Sequence, residues 1–80
     1  MSKSEEFEFE FDGAAYRADR KATKSWKVVK GMASGGPAMF EAFEELFCGR
    51  SDEYAEALGD DIMKMAELAN AAFEAAGSKN

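Results

Sequence analysis

Residues 7–16 read FEFEFDGAAY, and this stretch decides the N-terminal part of the fold. Phe and Glu alternate strictly over residues 7–11, which is the pattern of a β-strand with one buried face. Asp12-Gly13 follows, and these residue types tolerate the positive φ that a two-residue hairpin turn requires. Residues 14–19 supply the return strand. The sequence therefore predicts an N-terminal two-stranded β-hairpin.

A two-residue turn also fixes the register of the hairpin. Phe9 is placed opposite Tyr16, and Glu8 opposite Arg17, so the Phe side chains share one face. An isolated hairpin is only marginally stable in water. We expect this apolar face either to pack on helices of the same chain or to form an edge at which copies assemble.

The rest of the chain shows helical spacing of apolar residues, interrupted by strong helix breakers. A first helix is expected to begin near Thr23 or Ser25, both good N-caps, and to end at Gly35-Gly36. Pro37 suits the first turn of the next helix. With two further breaks at Gly49 and Gly59, the sequence predicts an α+β fold in which three or four short helices follow the hairpin.

Each predicted helix has an expected buried face. The four faces consist of Trp26, Val29, Met32 and Ala33; of Met39, Phe40, Phe43, Leu46 and Phe47; of Tyr54, Ala57 and Leu58; and of Ile62, Met65, Ala69, Ala72, Phe73 and Ala76.

Length and composition indicate one small domain over residues 1–80, with residues 1–6 and 78–80 expected to be frayed. The start, MSKSEEFEFEF, lacks the apolar core of a signal peptide, and no apolar run approaches the about 20 residues of a membrane span. A single cysteine, Cys48, excludes an intrachain disulfide. We therefore expect a cytoplasmic protein.

The residue types needed for catalysis are sparse. The chain has no histidine, so the commonest general base and transition-metal ligand is absent. Cys48 has no histidine to activate it, and the MASGGP segment lacks the lysine and the glycine spacing of a phosphate-binding loop. We expect no enzyme activity, no catalytic residue and no cofactor.

Asp60-Asp61 is the best candidate for a metal site, with Glu53 or Glu56 as a further ligand. The spacing lacks the alternation of a calcium loop. Acidic residues at a helix start are also stabilising without any metal. We therefore interpret the pair as the start of the last helix and predict no metal site.

Residues 17–30 are basic, although the whole chain carries a net charge of −6. Six residues of this segment are cationic and one is acidic. Arg20, Lys24 and Lys27 would share one face if the helix began early enough. The segment indicates a solvated surface or a docking surface for an acidic partner, either another copy of the chain or a different protein. A nucleic-acid surface is the weaker interpretation because an acidic chain repels phosphate.

The order of these features resembles the tail-assembly chaperones of long-tailed phages and prophages of Gram-positive bacteria. The shared pattern is an F-x-F-D-G-x-x-Y hairpin, here Phe9 to Tyr16, a helix, a Gly36-Pro37 break into an apolar helix, and a last helix from Asp61 to Ala76. The basic first helix departs from the more acidic members of that family.

The resemblance implies that the chain binds the tape-measure protein, keeps it soluble for tail-tube assembly, and contacts the tail-tube protein. It agrees with Met-rich and Phe-rich helices that offer helix-in-groove contacts, and with self-association of many copies. The residues expected to bind partners are Phe9, Tyr16, Arg20, Lys24, Trp26, Lys27, Lys30, Met39, Phe43 and Met65. Two alternatives stay open: a small nucleic-acid-binding or regulatory module that uses residues 17–30, and a protein that docks on one host target.

Overall fold

The computed structural model describes residues 5–77, in which an antiparallel two-stranded hairpin is followed by five helices. The α+β class and the hairpin-then-helices order are confirmed. The elements are β1 (Glu6–Phe11), β2 (Ala14–Asp19), α1 (Arg20–Thr23), α2 (Trp26–Ser34), α3 (Gly36–Leu46), α4 (Ser51–Ala57) and α5 (Ile62–Gly77).

The hairpin has the predicted register. Phe9 pairs with Tyr16 and Glu8 pairs with Arg17, across a turn in which Asp12 and Gly13 have φ values of 56° and 84°. The strand pairing extends to Glu6. The expectation of a frayed segment over residues 1–6 is therefore wrong at its last position, and residues 1–4 and 78–80 lie outside the described residues.

The apolar face of the hairpin packs on the helices of the same chain. Phe9 and Tyr16 are each only 7% exposed. Tyr16 makes an edge contact with the ring of Tyr54 in α4, with centroids 4.9 Å apart, and the backbone N–H of Arg17 donates to the Tyr54 hydroxyl at 3.1 Å. Of the two expectations for this face, packing on the chain's own helices is the one that the structure contains.

Two separate caps start the helical part, which explains why five helices are present instead of three or four. The Asp19 carboxylate accepts from the N–H of Lys21 and starts the four-residue α1 directly after β2. Ser25, one of the two predicted caps, accepts from the N–H of Val28 and starts α2. The unpredicted α1 arises because Asp19 both ends the strand and satisfies a free helical N–H.

Gly31 sets the orientation of α2 against α3. A Cβ at this position would lie 2.7 Å from the carbonyl oxygen of Ala38 and 3.2 Å from Cβ of Ala42, so the two helices approach closely only because Gly31 has no side chain. The buried residues of α2 are accordingly Val28 and Gly31.

This orientation contradicts the face predicted for α2. Trp26 is 76% exposed and Val29 is 44% exposed, Ala33 is exposed, and Met32 is half-buried. The prediction is wrong because the side chain that is missing at Gly31, rather than the largest apolar side chains, determines which side of the helix meets α3.

The later helices are divided as predicted, but their faces differ in part. α4 and α5 are separate, with Gly59 in the turn between them, and the Asp61 carboxylate accepts from the N–H of Met63 at 2.9 Å to start α5. Phe40 and Ile62 are largely exposed, whereas Leu68 is fully buried. The buried residues of α3 to α5 are Ala42, Phe43, Leu46, Ser51, Tyr54, Met65, Leu68, Ala69 and Ala72. None of the helices within residues 5–77 is long and apolar enough to cross a membrane.

Candidate functional site

The large apolar side chains that stay exposed all lie on helices. In the described part of the chain, they are Trp26, Val29, Phe40, Ile62 and Met63. Phe40 and Ile62 flank one groove, whereas Trp26 and Val29 lie on the outer side of α2. Exposed apolar groups that cluster in this way are typical of surfaces that bind other molecules.

The groove has a volume of about 640 Å³ and lies between α3, α4 and the start of α5. α4, which contributes Ser51, Asp52 and Ala55 to the lining, is only seven residues long. Its size is within the range of about 300–1,000 Å³ typical of binding pockets. The apolar residues that line it are Phe40, Phe43, Ala55, Ile62 and Met65.

Acidic side chains surround this apolar floor. Two are fixed by the fold: Glu44 accepts from the Ser51 hydroxyl at 2.8 Å, and Asp61 caps α5. Glu41, Asp52 and Asp60 complete the rim, and their carboxylates have no ion pair or hydrogen bond within residues 5–77. We call the whole feature the acid-rimmed groove. Its chemistry favours an apolar segment flanked by lysine or arginine.

A second surface has the opposite charge. Trp26, Val29 and Ala33 follow one another at three- and four-residue spacing along the exposed side of α2, and we call them the α2 stripe. Lys27 and Lys30 are exposed beside it. The α2 stripe is thus an apolar ridge on a helix with basic flanks.

Six of the ten predicted partner-binding residues lie in three places. Trp26, Lys27 and Lys30 lie together on α2, whereas Phe43 and Met65 line the acid-rimmed groove from its buried side. Met39 is half-buried at the edge of the core. The groove residues Phe40 and Ile62 were predicted as core, so sequence spacing identified them as apolar helix positions without showing that they are exposed.

The remaining four predicted residues do not form a partner surface together. Phe9 and Tyr16 are buried between the hairpin and the helices. The Arg20 guanidinium lies 4.6 Å from the centroid of the Phe7 ring and donates to the Ala76 carbonyl. Lys24 lies in the turn after α1, so the helical face expected for Arg20, Lys24 and Lys27 does not exist, because the chain breaks between α1 and α2.

A polar cluster fastens the hairpin to the connection between α3 and α4. Glu6 Oε1 lies 3.0 Å from Arg17 Nε and 3.5 Å from Arg50 Nη2. The hydrogen bond from Arg17 is the largest of the effects that lower the pKa of Glu6 below its ordinary value. Burial, followed by the charge of Glu6, raises the pKa of the Cys48 thiol. Cys48 is therefore protonated near neutral pH, the opposite of an activated nucleophile.

Acidic side chains and cysteine are possible metal ligands. Among residues 5–77, no three or more such side chains are arranged to hold a metal ion. At the start of α5, Asp61 acts as a helix cap, as the sequence interpretation expects.

No family model matches the chain, and neither curated proteins nor solved structures match it significantly. A function is therefore inferred from the acid-rimmed groove, its charges and the α2 stripe.

Proposed function

We propose that this chain is a non-enzymatic tail-assembly chaperone that binds the tape-measure protein of a long-tailed phage or prophage. It keeps the apolar helices of that client soluble in the bacterial cytoplasm. The tail-tube protein then assembles around these helices to form the tail tube. The observation that carries this proposal is the acid-rimmed groove, in which Phe40 and Ile62 stay exposed at 57% and 48%.

A groove of this kind suits a helical ligand. An amphipathic helix presents apolar side chains at three- and four-residue spacing, and such side chains insert into a groove that is apolar along its floor. Phe40 from α3 and Ile62 from α5 both line the groove, so a helix bound in it would cover both side chains. Burial of apolar area then drives binding without any covalent chemistry.

The acidic rim adds selectivity. Glu41, Asp52 and Asp60 would pair with lysine or arginine beside the apolar stripe of the client, and would repel a client with acidic flanks. Because these carboxylates are exposed, the pairing is weakened by salt. Each contact is small, so a long client would be held by many copies acting together.

Capture of the tape-measure protein from the same phage or prophage tests the proposal. The two proteins are co-expressed with a tag on this chain, using wild type, Ile62→Glu and the control Asn70→Glu. Asn70 is exposed on α5 away from the groove, and both substitutions add one negative charge. We expect wild type and Asn70→Glu to keep the client soluble and retain it, and Ile62→Glu to retain at least tenfold less.

Ile62 is the first residue of α5, where glutamate is favourable for the helix. A lower yield of client with Ile62→Glu reports on the groove when circular dichroism shows that the variant keeps its helices. Equal capture by Ile62→Glu and wild type, or no capture by wild type, contradicts the proposal.

Nucleic-acid binding through residues 17–30 is the second candidate, and one observation favours it. Trp26 is exposed among Lys24, Lys27 and Lys30, which is the combination of stacking group and cations that single strands bind. Arg17 and Arg20, however, are engaged with Glu6 and Phe7. A salt-dependent mobility shift of single-stranded DNA that is lost in Trp26→Ala would support this candidate, and no shift at low salt would exclude it.

A further inference from the structure

The α2 stripe has no cover within the described part of the chain. Trp26 projects from the first turn of α2, and Val29 and Ala33 continue the apolar ridge along the same side. A ridge of this spacing is the shape of a helix that docks in a groove. Its basic flanks, Lys27 and Lys30, identify the charge that the groove must have.

The chain itself contains a groove of that description. The acid-rimmed groove has an apolar floor and exposed carboxylates at Glu41, Asp52 and Asp60. Nine residues of α2 span about 14 Å. The apolar ridge suits the apolar floor, and the opposite charges favour a second copy of this chain as the partner of the α2 stripe.

One molecule cannot make this contact with itself. α2 packs against Ala38 and Ala42 of α3, whereas Phe40 lines the groove. Helical spacing places Phe40 on the side of α3 opposite Ala38 and Ala42. The α2 stripe points away from α3, so it can reach only the groove of another molecule.

We propose that the α2 stripe of one copy docks in the acid-rimmed groove of the next, so that copies associate head to tail. A client and a neighbouring copy then compete for the same groove. The contact joins two different surfaces, so it extends into an open chain unless the geometry closes a ring. An occupied groove is protected from water until a client displaces the neighbouring α2. The competition between client and neighbouring copy rests on the proposed function.

A mixing experiment tests the head-to-tail contact. Trp26→Glu removes the ridge and keeps the groove, whereas Ile62→Glu alters the groove and keeps the ridge. Light scattering gives the mass of wild type, of each variant and of the equimolar mixture at concentrations up to about 1 mM, the range of weak protein contacts. Asn70→Glu is the charge-matched control, and circular dichroism shows that the variants keep their helices.

We expect wild type and Asn70→Glu to exceed the 8.7 kDa mass of one chain, and each of the other variants alone to have that mass. The mixture should reach about twice that mass and no more, because only one intact ridge and one intact groove can meet in each pair. A wild type that stays at the mass of one chain, single variants that still associate, or a mixture that stays monomeric each overturn the contact.

Client capture separates this inference from the proposed function. Trp26→Glu has a free groove, so it should capture the tape-measure protein at least as well as wild type. Reduced capture by Trp26→Glu overturns the competition and leaves the proposed function intact. If Ile62→Glu disperses the assembly and still captures the client as wild type does, the client does not use this groove, so the proposed function and the competition fail while the head-to-tail contact stands.

Discussion

The hairpin and the helices differ in how far their apolar side chains are buried. In the hairpin, Phe9 and Tyr16 are both buried, and the rings of Tyr54 and Phe47 continue the same aromatic cluster into the helices. In the helices, Trp26 and Phe40 remain in water although they lie beside well-packed positions. Apolar spacing therefore identifies the packed face of the hairpin, where Phe7 and Phe11 are half-buried against the core, whereas in the helices it marks buried and exposed positions alike.

Geometry explains this difference. A strand has two faces, and the turn at Asp12-Gly13 leaves one register, so the register decides which side chains face the helices. A helix presents side chains all round, and a wide apolar stripe exceeds what one neighbouring helix covers. The surplus on α2 and α3 stays exposed, and it forms the surfaces that we propose bind partners.

The largest effect should come from truncating a hairpin aromatic, compared with the same change in the groove. Phe9→Ala should lower the free energy of unfolding by about 3–5 kcal/mol, because it removes a buried ring and leaves a cavity. Phe40→Ala should lower it by at most about 1 kcal/mol, because most of that ring is already in water. Urea denaturation measures both, and equal losses would remove the distinction between the two regions.

Gly31→Ala should have the next largest effect, because the added methyl group would push α2 away from α3. The new methyl group would meet a backbone oxygen that cannot move aside, so we expect a loss of about 1–3 kcal/mol, although the higher helix propensity of alanine offsets about 1 kcal/mol. Ser34→Ala, an exposed change on the same helix, should stay within about 0.5 kcal/mol. A Gly31→Ala protein as stable as wild type would show that Gly31 does not set the orientation of α2.

A smaller effect should appear at acidic pH, where Glu6 loses its ion pairs with Arg17 and Arg50. The folded state lowers the pKa of Glu6, so its contribution is present above the ordinary value of 4.5 and disappears as pH falls through the lower folded value. Glu6→Gln should therefore lose stability at neutral pH and converge with wild type in acid. Thermal unfolding from neutral pH to below 4 measures this, and a constant difference between the two proteins would contradict it.

Local chemistry made much of the fold predictable. The register of the hairpin, the Ser25 cap, the break at Gly35 and the start of the last helix at Asp61 each depend on residues adjacent in sequence. The faces of the helices depend on distant neighbours. No spacing rule shows that α3 packs against Gly31, or that Phe40 and Ile62 stay exposed.

The same limit applies to the candidate site. Trp26, Lys27 and Lys30 were predicted as partner-binding from composition and charge, and the structure places them together on α2. Phe9 and Tyr16 were included because an apolar hairpin face can assemble edge to edge, but here the helices cover it. The acid-rimmed groove combines residues from three helices, so only the tertiary arrangement brings its floor and rim together.

The emission of Trp26 tests most directly whether the groove receives a helix. Trp26 is the single tryptophan of the chain, and its exposed indole emits at the wavelength of an indole in water until an apolar surface covers it. We expect the emission maximum of wild type to move to shorter wavelength as its concentration rises, and that of Ile62→Glu to stay constant. A wild-type maximum that does not change with concentration, or an equal shift in Ile62→Glu, would contradict docking of α2 in the acid-rimmed groove.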